Sequence, residues 1–227
     1  MKVRKKVRYK KVYWLSAGLA VTAVSFVLLL YKPGRYDPPE VVPAGNEQRE
    51  VSPYLTHELL PQLYNGAQLE EPFDLVITQE GINDIVARSK WPKRSDGISF
   101  SAPEVLFVPG SIVLMGTASF KGVGLVVTVV AEPRVDKDGL LNLRVAKVKI
   151  GAMNITLVAK LIAKKMYAQR LATTDINIED LRAQIATSLL NDEPFEPVFK
   201  IEDKKVQAKK ITIHDEKLTI RLVPVFD

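Results

Sequence analysis

Two histidines, His57 and His214, are the only imidazoles in this 227-residue chain, and it contains no cysteine. Disulfides, thiolate metal sites and cysteine nucleophiles are therefore excluded. His57 lies in a proline-rich stretch. His214 opens the run His214-Asp215-Glu216, whose side chains are all potential metal ligands, but three consecutive residues between two strand-like segments read as a solvated hairpin turn. Neither histidine stands near the serine and carboxylate that nucleophilic catalysis would need. No GxSxG, GxxxxGK[ST], HExxH or EF-hand pattern occurs. Gly122-Val123-Gly124 is a fragment of a dinucleotide fingerprint, yet it falls between two strands, where a turn accounts for it. The chain reads as a protein with no catalytic residue, metal or cofactor.

Apolar residues are more telling. Residues 98–108, 111–120, 123–131 and 140–150 read as four strands, joined at Pro109-Gly110, at Lys121-Gly122 and at Asp136-Lys137-Asp138-Gly139, all with turn chemistry. Short connections imply an antiparallel meander. In the second strand Ile112, Leu114, Gly116, Ala118 and Phe120 share one face and Ser111, Thr117 and Ser119 the other, as in a half-buried strand. The third strand departs from alternation. Leu125, Val126, Val127, Val129, Val130 and Ala131 put apolar groups on both faces, so each face needs a cover: a helix on one and a second sheet, a partner or a lipid-like ligand on the other, or equally helices on both sides of a central strand.

The elements around this sheet follow from capping and periodicity. Thr78 is a good N-cap, Glu80 places a carboxylate in the first turn, and Ile82, Ile85, Val86 and Ser89 fall on one face of a short helix. Gly81 weakens that helix by about 1 kcal/mol relative to alanine, which suggests close packing or simply a short helix. Asn83 is more simply part of this capped helix against a sheet than a binding residue. A helix over 155–171 carries Leu157, Val158, Leu161, Ile162, Met166 and Tyr167 opposite Lys160, Lys164 and Lys165, an unusually broad apolar face. In the next helix Asn177 can cap, Glu179 and Asp180 occupy the first turn, and Ile178, Leu181, Ile185 and Leu189 form the stripe. Pro194 and Pro197 end the helical region. A C-terminal hairpin, 205–213 and 217–225, follows. Val206 and Ala208 have one parity and Ile211 and Ile213 the other, which predicts a bulge near Lys209 or Lys210.

Upstream, Lys2, Arg4, Lys5, Lys6, Arg8, Lys10 and Lys11 precede the uncharged apolar run 14–31. As a helix this run is about 27 Å long, enough to span a bilayer core of roughly 30 Å with Trp14 and Tyr31 in the interfaces. The basic flank places the N-terminus in the cytoplasm and the rest of the chain beyond the membrane. Leu28-Leu29-Leu30-Tyr31-Lys32-Pro33 lacks the small-x-small site of a cleavable signal peptide, so an uncleaved anchor is expected. The tail also explains the charge. Of 32 basic and 26 acidic residues, residues 32–227 keep 25 basic against 26 acidic, a net −1, which leaves no footprint for nucleic acid.

The expected organisation is a basic cytoplasmic tail (1–13), a transmembrane anchor (14–31), a proline-rich stalk (32–72) and one exported α+β domain (73–227). Within the stalk Tyr54, Leu55, Leu59, Leu60 and Leu63 can form a short helix limited by Pro61. The fold class is α+β: a curved antiparallel meander sheet packed on one long and one or two shorter helices, with the C-terminal hairpin.

This order of elements resembles the YpmS-type single-pass bacterial envelope proteins and is similar in outline to tubular lipid-binding (TULIP-like) domains. The resemblance rests on the anchor, the Ile77-Thr78-Gln79-Glu80 to Asn83 helix start, Lys149-Ile150-Gly151 before a long helix, and the C-terminal hairpin. It covers roughly residues 73–227. The chain departs from the pattern after Gly151, where Ala152, Met153 and Asn154 replace a proline-containing loop. The resemblance implies a curved sheet around a long helix, an apolar groove for acyl chains, and no catalysis.

The leading expectation is a binding module at the cytoplasmic membrane whose exported domain holds a lipid or other apolar ligand, lined by Leu125, Val127, Val129, Leu157, Leu161 and Met166. The alternative is a structural or interaction protein of the cell envelope, in which the same apolar surface is core or a protein partner's interface.

Overall fold

In a computed structural model of the chain, residues 3–38, 51–95, 97–171 and 181–226 are described. The first element is helix α1 (Val3–Leu30). Its segment Tyr13–Leu30 is long and apolar enough to cross a membrane, and none of it is buried against the rest of the chain.

After α1 the chain folds back. Tyr36 is 5% exposed and packs with Met115 and Val126, while its hydroxyl lies 2.8 Å from Thr117 Oγ1. The Asp37 N–H donates to Glu104 Oε2 at 2.9 Å.

The folded unit also starts earlier than residue 73. Residues 51–72, read from their prolines as stalk, include buried Ser52, Tyr54 and Ala67. A π-helical turn Leu55–Leu59 leads directly into helix α2 (Leu60–Gln68), with Pro61 in the first turn of α2. Proline is tolerated in this continuous helical run because the widened turn before it spares the usual ring clash. Leu59, Leu63 and Ala67, at i, i+4, i+8, then face a sheet.

Strand β1 (Phe73–Thr78) and helix α3 (Gln79–Ala87) follow. The Thr78 cap is present, its Oγ1 accepting from the Gly81 N–H at 3.1 Å. Gly81 is required because a Cβ there would overlap the Tyr54 ring.

Strands β2 (Lys93–Ser95), β3 (Ile98–Phe100), β4 (Glu104–Val108), β5 (Ser111–Phe120), β6 (Val123–Val135), β7 (Leu141–Ile150) and β8 (Met153–Asn154) form a seven-stranded antiparallel sheet. The single strand expected over 98–108 is broken into β3 and β4, both paired with β5. Pro103 has no N–H to offer the ladder, while Ser101 pairs with Thr117, its N–H donating to the Thr117 carbonyl and its hydroxyl oxygen accepting the Thr117 N–H, each at 2.9 Å. The turns lie where expected, with Gly110, Lys121, Gly122 and Gly139 at positive φ. β6 runs past Ala131 to Val135; β5 has ended by then, so Pro133 sits on an edge, where a missing donor is tolerated.

Helices α4 (Thr156–Leu171) and α5 (Leu181–Asn191) come next. Asn177, Ile178, Glu179 and Asp180 lie outside the described residues. α5 covers the free edge of β7, where Ser188 Oγ accepts the Leu143 N–H at 2.9 Å and is itself fully buried. Strands β9 (Val198–Ile201), β10 (Lys204–His214) and β11 (Lys217–Val225) join β1 in a four-stranded antiparallel sheet of order β1-β11-β10-β9. The C-terminal hairpin carries its bulge between Ala208 and Lys210.

The chain is thus α+β, with an N-terminal apolar helix, antiparallel sheets and a C-terminal hairpin. The two sheets meet where Val105 and Phe107 of β4 pack with Ile213 and Leu218 of the hairpin, and β10 lies against β6. Both faces of β6 are therefore served by the chain itself: Val126 by Tyr36, and the other face in part by the second sheet.

Candidate apolar binding site

The bulge in β10 decides the character of the small sheet. Without it, Val206 and Ala208 would point away from Ile211 and Ile213; with the extra residue, Ala208 pairs with Leu222 and Ile211 with Ile220, so all four share a face. Leu75 opposes Ile220 across β1 and β11, and Val206 opposes Phe199 across β10 and β9. The result is one unbroken apolar face from β1 to the edge strand β9.

α2 covers part of that face with Leu59, Leu63 and Ala67. Between α2, the sheet and the start of α5 a cavity of about 510 Å³ remains. The sheet supplies its floor through Leu75, Phe199, Ile201, Val206, Ile220 and Leu222. Leu63 and Leu181 enter from α2 and α5, and Lys200 of the edge strand is the one charged lining residue. Such a volume lies within the roughly 300–1,000 Å³ typical of ligand sites, and a lining of this chemistry offers dispersion and desolvation rather than hydrogen bonds.

The residues singled out from the sequence do not converge there. Val127 lines a shallower cavity of about 270 Å³ on the large sheet with Trp91, Phe100, Pro103 and Gly116. Leu125 and Val129 are half-buried on the same face of β6. Leu157 and Leu161 project outward at 85% and 71% exposure, and the Met166 side chain lies outside what is described. The reason is the facing of α4: its half-buried positions are Thr156, Ala159, Lys160, Ala163 and Tyr167, and the large aliphatic residues Leu157, Val158, Leu161 and Ile162 turn away. Sequence reasoning missed β1 and β9 as walls of a cavity. The parity break in β10 was the available signal.

A third cavity, of about 330 Å³, lies where α1 leaves the apolar segment, between Tyr31, Pro33 and Arg35 and the sheet residues Met115, Thr128 and Lys149. The Thr128 hydroxyl is buried there without a hydrogen-bond partner among the described residues.

Polar groups elsewhere are structural. His57 Nδ1 lies 3.2 Å from the Pro53 carbonyl on the exposed π turn, and His214 is exposed at the end of β10, opposite Lys217. Asn83 and Gln79, one turn apart on α3, bind the backbone of β4: Asn83 Nδ2 donates to the Val105 carbonyl at 2.8 Å, the Val105 N–H returns a bond to Asn83 Oδ1 at 2.8 Å, and the Phe107 N–H donates to Gln79 Oε1 at 2.8 Å. Among the described residues no group of three or more His, Asp or Glu side chains is placed to hold a metal ion.

No family model matches the chain, and no curated protein matches it.

Proposed function

We propose that the chain is a membrane-anchored, extracytoplasmic binding module whose apolar cavity, between α2, the small sheet and α5, takes an acyl chain or a similarly apolar ligand without chemical conversion. The observation that carries this reading is the cavity itself. It is half open and lined almost entirely by aliphatic and aromatic side chains, so it leaves apolar surface to water, and an apolar occupant gains about 25 cal/mol for each Å² it removes from water. The anchor belongs to the same reading. The basic flank before Tyr13–Leu30 favours a cytoplasmic N-terminus, which puts the cavity outside the cytoplasmic membrane, on the side where the chain leaves the lipid.

The test is capture of a photoactivatable fatty-acyl phospholipid by the full chain in membranes, followed by mapping of the adducts. Adducts on β9 and β10, lost in a Leu181→Trp variant that fills the cavity, are expected. Adducts confined to the anchor helix would overturn the binding reading and leave a structural protein of the envelope, with the cavity as a packing gap.

A further inference from the structure

α4 inverts the usual amphipathic arrangement. Ala159 and Ala163 turn toward the protein, whereas Leu157, Val158, Leu161 and Ile162 are 85%, 56%, 71% and 53% exposed on the outward face. Spaced i, i+1, i+4, i+5, these four form one contiguous stripe. Lys164 and Lys165 extend the outward face beyond it, and Lys160 is held aside by Asp192 at 3.0 Å. An exposed apolar stripe of this kind marks an interaction surface.

What covers it follows from the position of the turn before α4. The Ala152 N–H donates to the Leu28 carbonyl at 2.8 Å, and Gly151 lies so close that a Cβ would overlap the Leu28 and Leu29 carbonyls. Leu28 belongs to the apolar span Tyr13–Leu30. The β7–β8 turn is therefore level with the last turn of the spanning helix, at the edge of the hydrocarbon. Thr156, four residues on from Ala152, is at most about 14 Å away, and the headgroup layer itself is roughly 5–8 Å deep.

We infer that α4 is an interfacial helix that lays Leu157, Val158, Leu161 and Ile162 into the leaflet from which α1 emerges, with Lys164 and Lys165 reaching the headgroups. The occupant of the stripe is the lipid surface of the anchor's own membrane. The anchor holds the stripe there at high effective concentration, so a surface too small for tight binding from solution suffices. The folded domain is thus seated on the bilayer by two contacts, the helix that spans it and the helix that lies in it. This rests on reading α1 as a membrane anchor but not on any occupant of the cavity.

The absence of cysteine permits single-site labelling of the full chain. Leu157→Cys, Leu161→Cys, Ala20→Cys and Lys137→Cys variants, each carrying a nitroxide, would be reconstituted in phosphatidylcholine–phosphatidylglycerol vesicles with a nickel chelate on both sides. Lys137 marks the far end of the β6–β7 hairpin, roughly 30 Å along the strand from Gly151. Labels at 157 and 161 are expected to favour oxygen over the chelate several-fold, as at 20, while 137 shows the reverse. Labels at 157 and 161 as open to the chelate as 137, with 20 protected, would overturn the inference and leave the anchor standing. An exposed label at 20 would sink the anchor reading and the inference with it. Protection at 157 and 161 that vanishes as protein is diluted into lipid would assign the stripe to a second copy, and would equally overturn it.

Discussion

The side-chain amide of Asn83 occupies both hydrogen-bonding groups of the Val105 backbone, donating through Nδ2 to the carbonyl and accepting at Oδ1 from the N–H, each at 2.8 Å. A helix side chain thus takes the place of a neighbouring strand along β4, whose other edge pairs with β5. Gln79 extends the arrangement to the Phe107 N–H. A strand edge that would otherwise be left unsatisfied in the core between the sheets is closed without a further strand.

Asn83→Leu strands both Val105 groups beside a side chain that is almost fully buried. The expected loss is about 1–3 kcal/mol for each unpaired group. Asn83→Asp, which keeps the acceptor but not the donor, falls between. Equilibrium denaturation of the full chain in detergent measures the order wild type, Asp, Leu; equal stability of all three would remove the edge-closing role.

Gly81→Ala tests a contact against a propensity. Alanine improves an exposed helix by about 1 kcal/mol, yet here its Cβ would enter the Tyr54 ring. The substitution is expected to lower Tm in the wild-type background and raise it beside Tyr54→Ala. A double-mutant cycle reads the coupling, and strict additivity would mean the two residues do not meet.

Two carboxylates give stability opposite pH slopes. Burial alone would raise Asp84, but the Ser52 hydroxyl and the Arg88 guanidinium outweigh it and hold its carboxyl below the ordinary range. Its contribution is present above the unfolded value and is lost as pH falls through the depressed one. Glu104 is raised by burial, with the Asp37 charge adding to this and the Asp37 N–H opposing it. The native state then holds its proton longer than the unfolded chain, so this contribution is present in acid and is lost as pH rises past the ordinary glutamate value. Glu104→Gln, which keeps an acceptor for the Asp37 N–H, is expected to raise Tm at neutral pH, the gain disappearing in acid. Asp84→Asn is expected to lower Tm at neutral pH, the loss closing in acid. Thermal scans from pH 3 to 8 read both differences, and parallel curves would refute the assignment.

Tyr36 ties the chain just beyond α1 to the large sheet. Tyr36→Phe loses the bond to Thr117, about 1 kcal/mol, whereas Tyr36→Ala also uncovers Met115 and Val126 and is expected to cost about 3–5 kcal/mol. Trypsin cleavage after Arg35 should quicken in the order wild type, Phe, Ala. Unchanged cleavage would show that this segment is not held on the sheet.

Local chemistry was legible wherever a few neighbouring residues suffice. Thr78 declares a helix start by its own side chain, Lys121-Gly122 and Pro109-Gly110 declare turns, the break in parity between Ala208 and Ile211 requires a bulge, and Tyr13–Leu30 is uncharged and mostly apolar. The same local reading failed where partners are far apart in sequence. The prolines of 51–72 suggested a stalk because nothing nearby reveals that Leu59, Leu63 and Ala67 will meet a sheet in which β1 is close in sequence but β9, β10 and β11 lie more than a hundred residues on. β1 pairs with β11, Asn83 with Val105, Ala152 with Leu28, and the cavity exists only between elements drawn from three separate stretches of chain.

α4 shows the division most directly. Its sequence alone determines that Leu157, Val158, Leu161 and Ile162 share a side, because a 3.6-residue period fixes which residues neighbour one another on a helix. Whether that side faces in or out depends on what packs against the other, and only the tertiary structure sets Ala159 and Ala163 toward the protein. Periodicity is a property of one segment, whereas burial belongs to the pair of surfaces that meet.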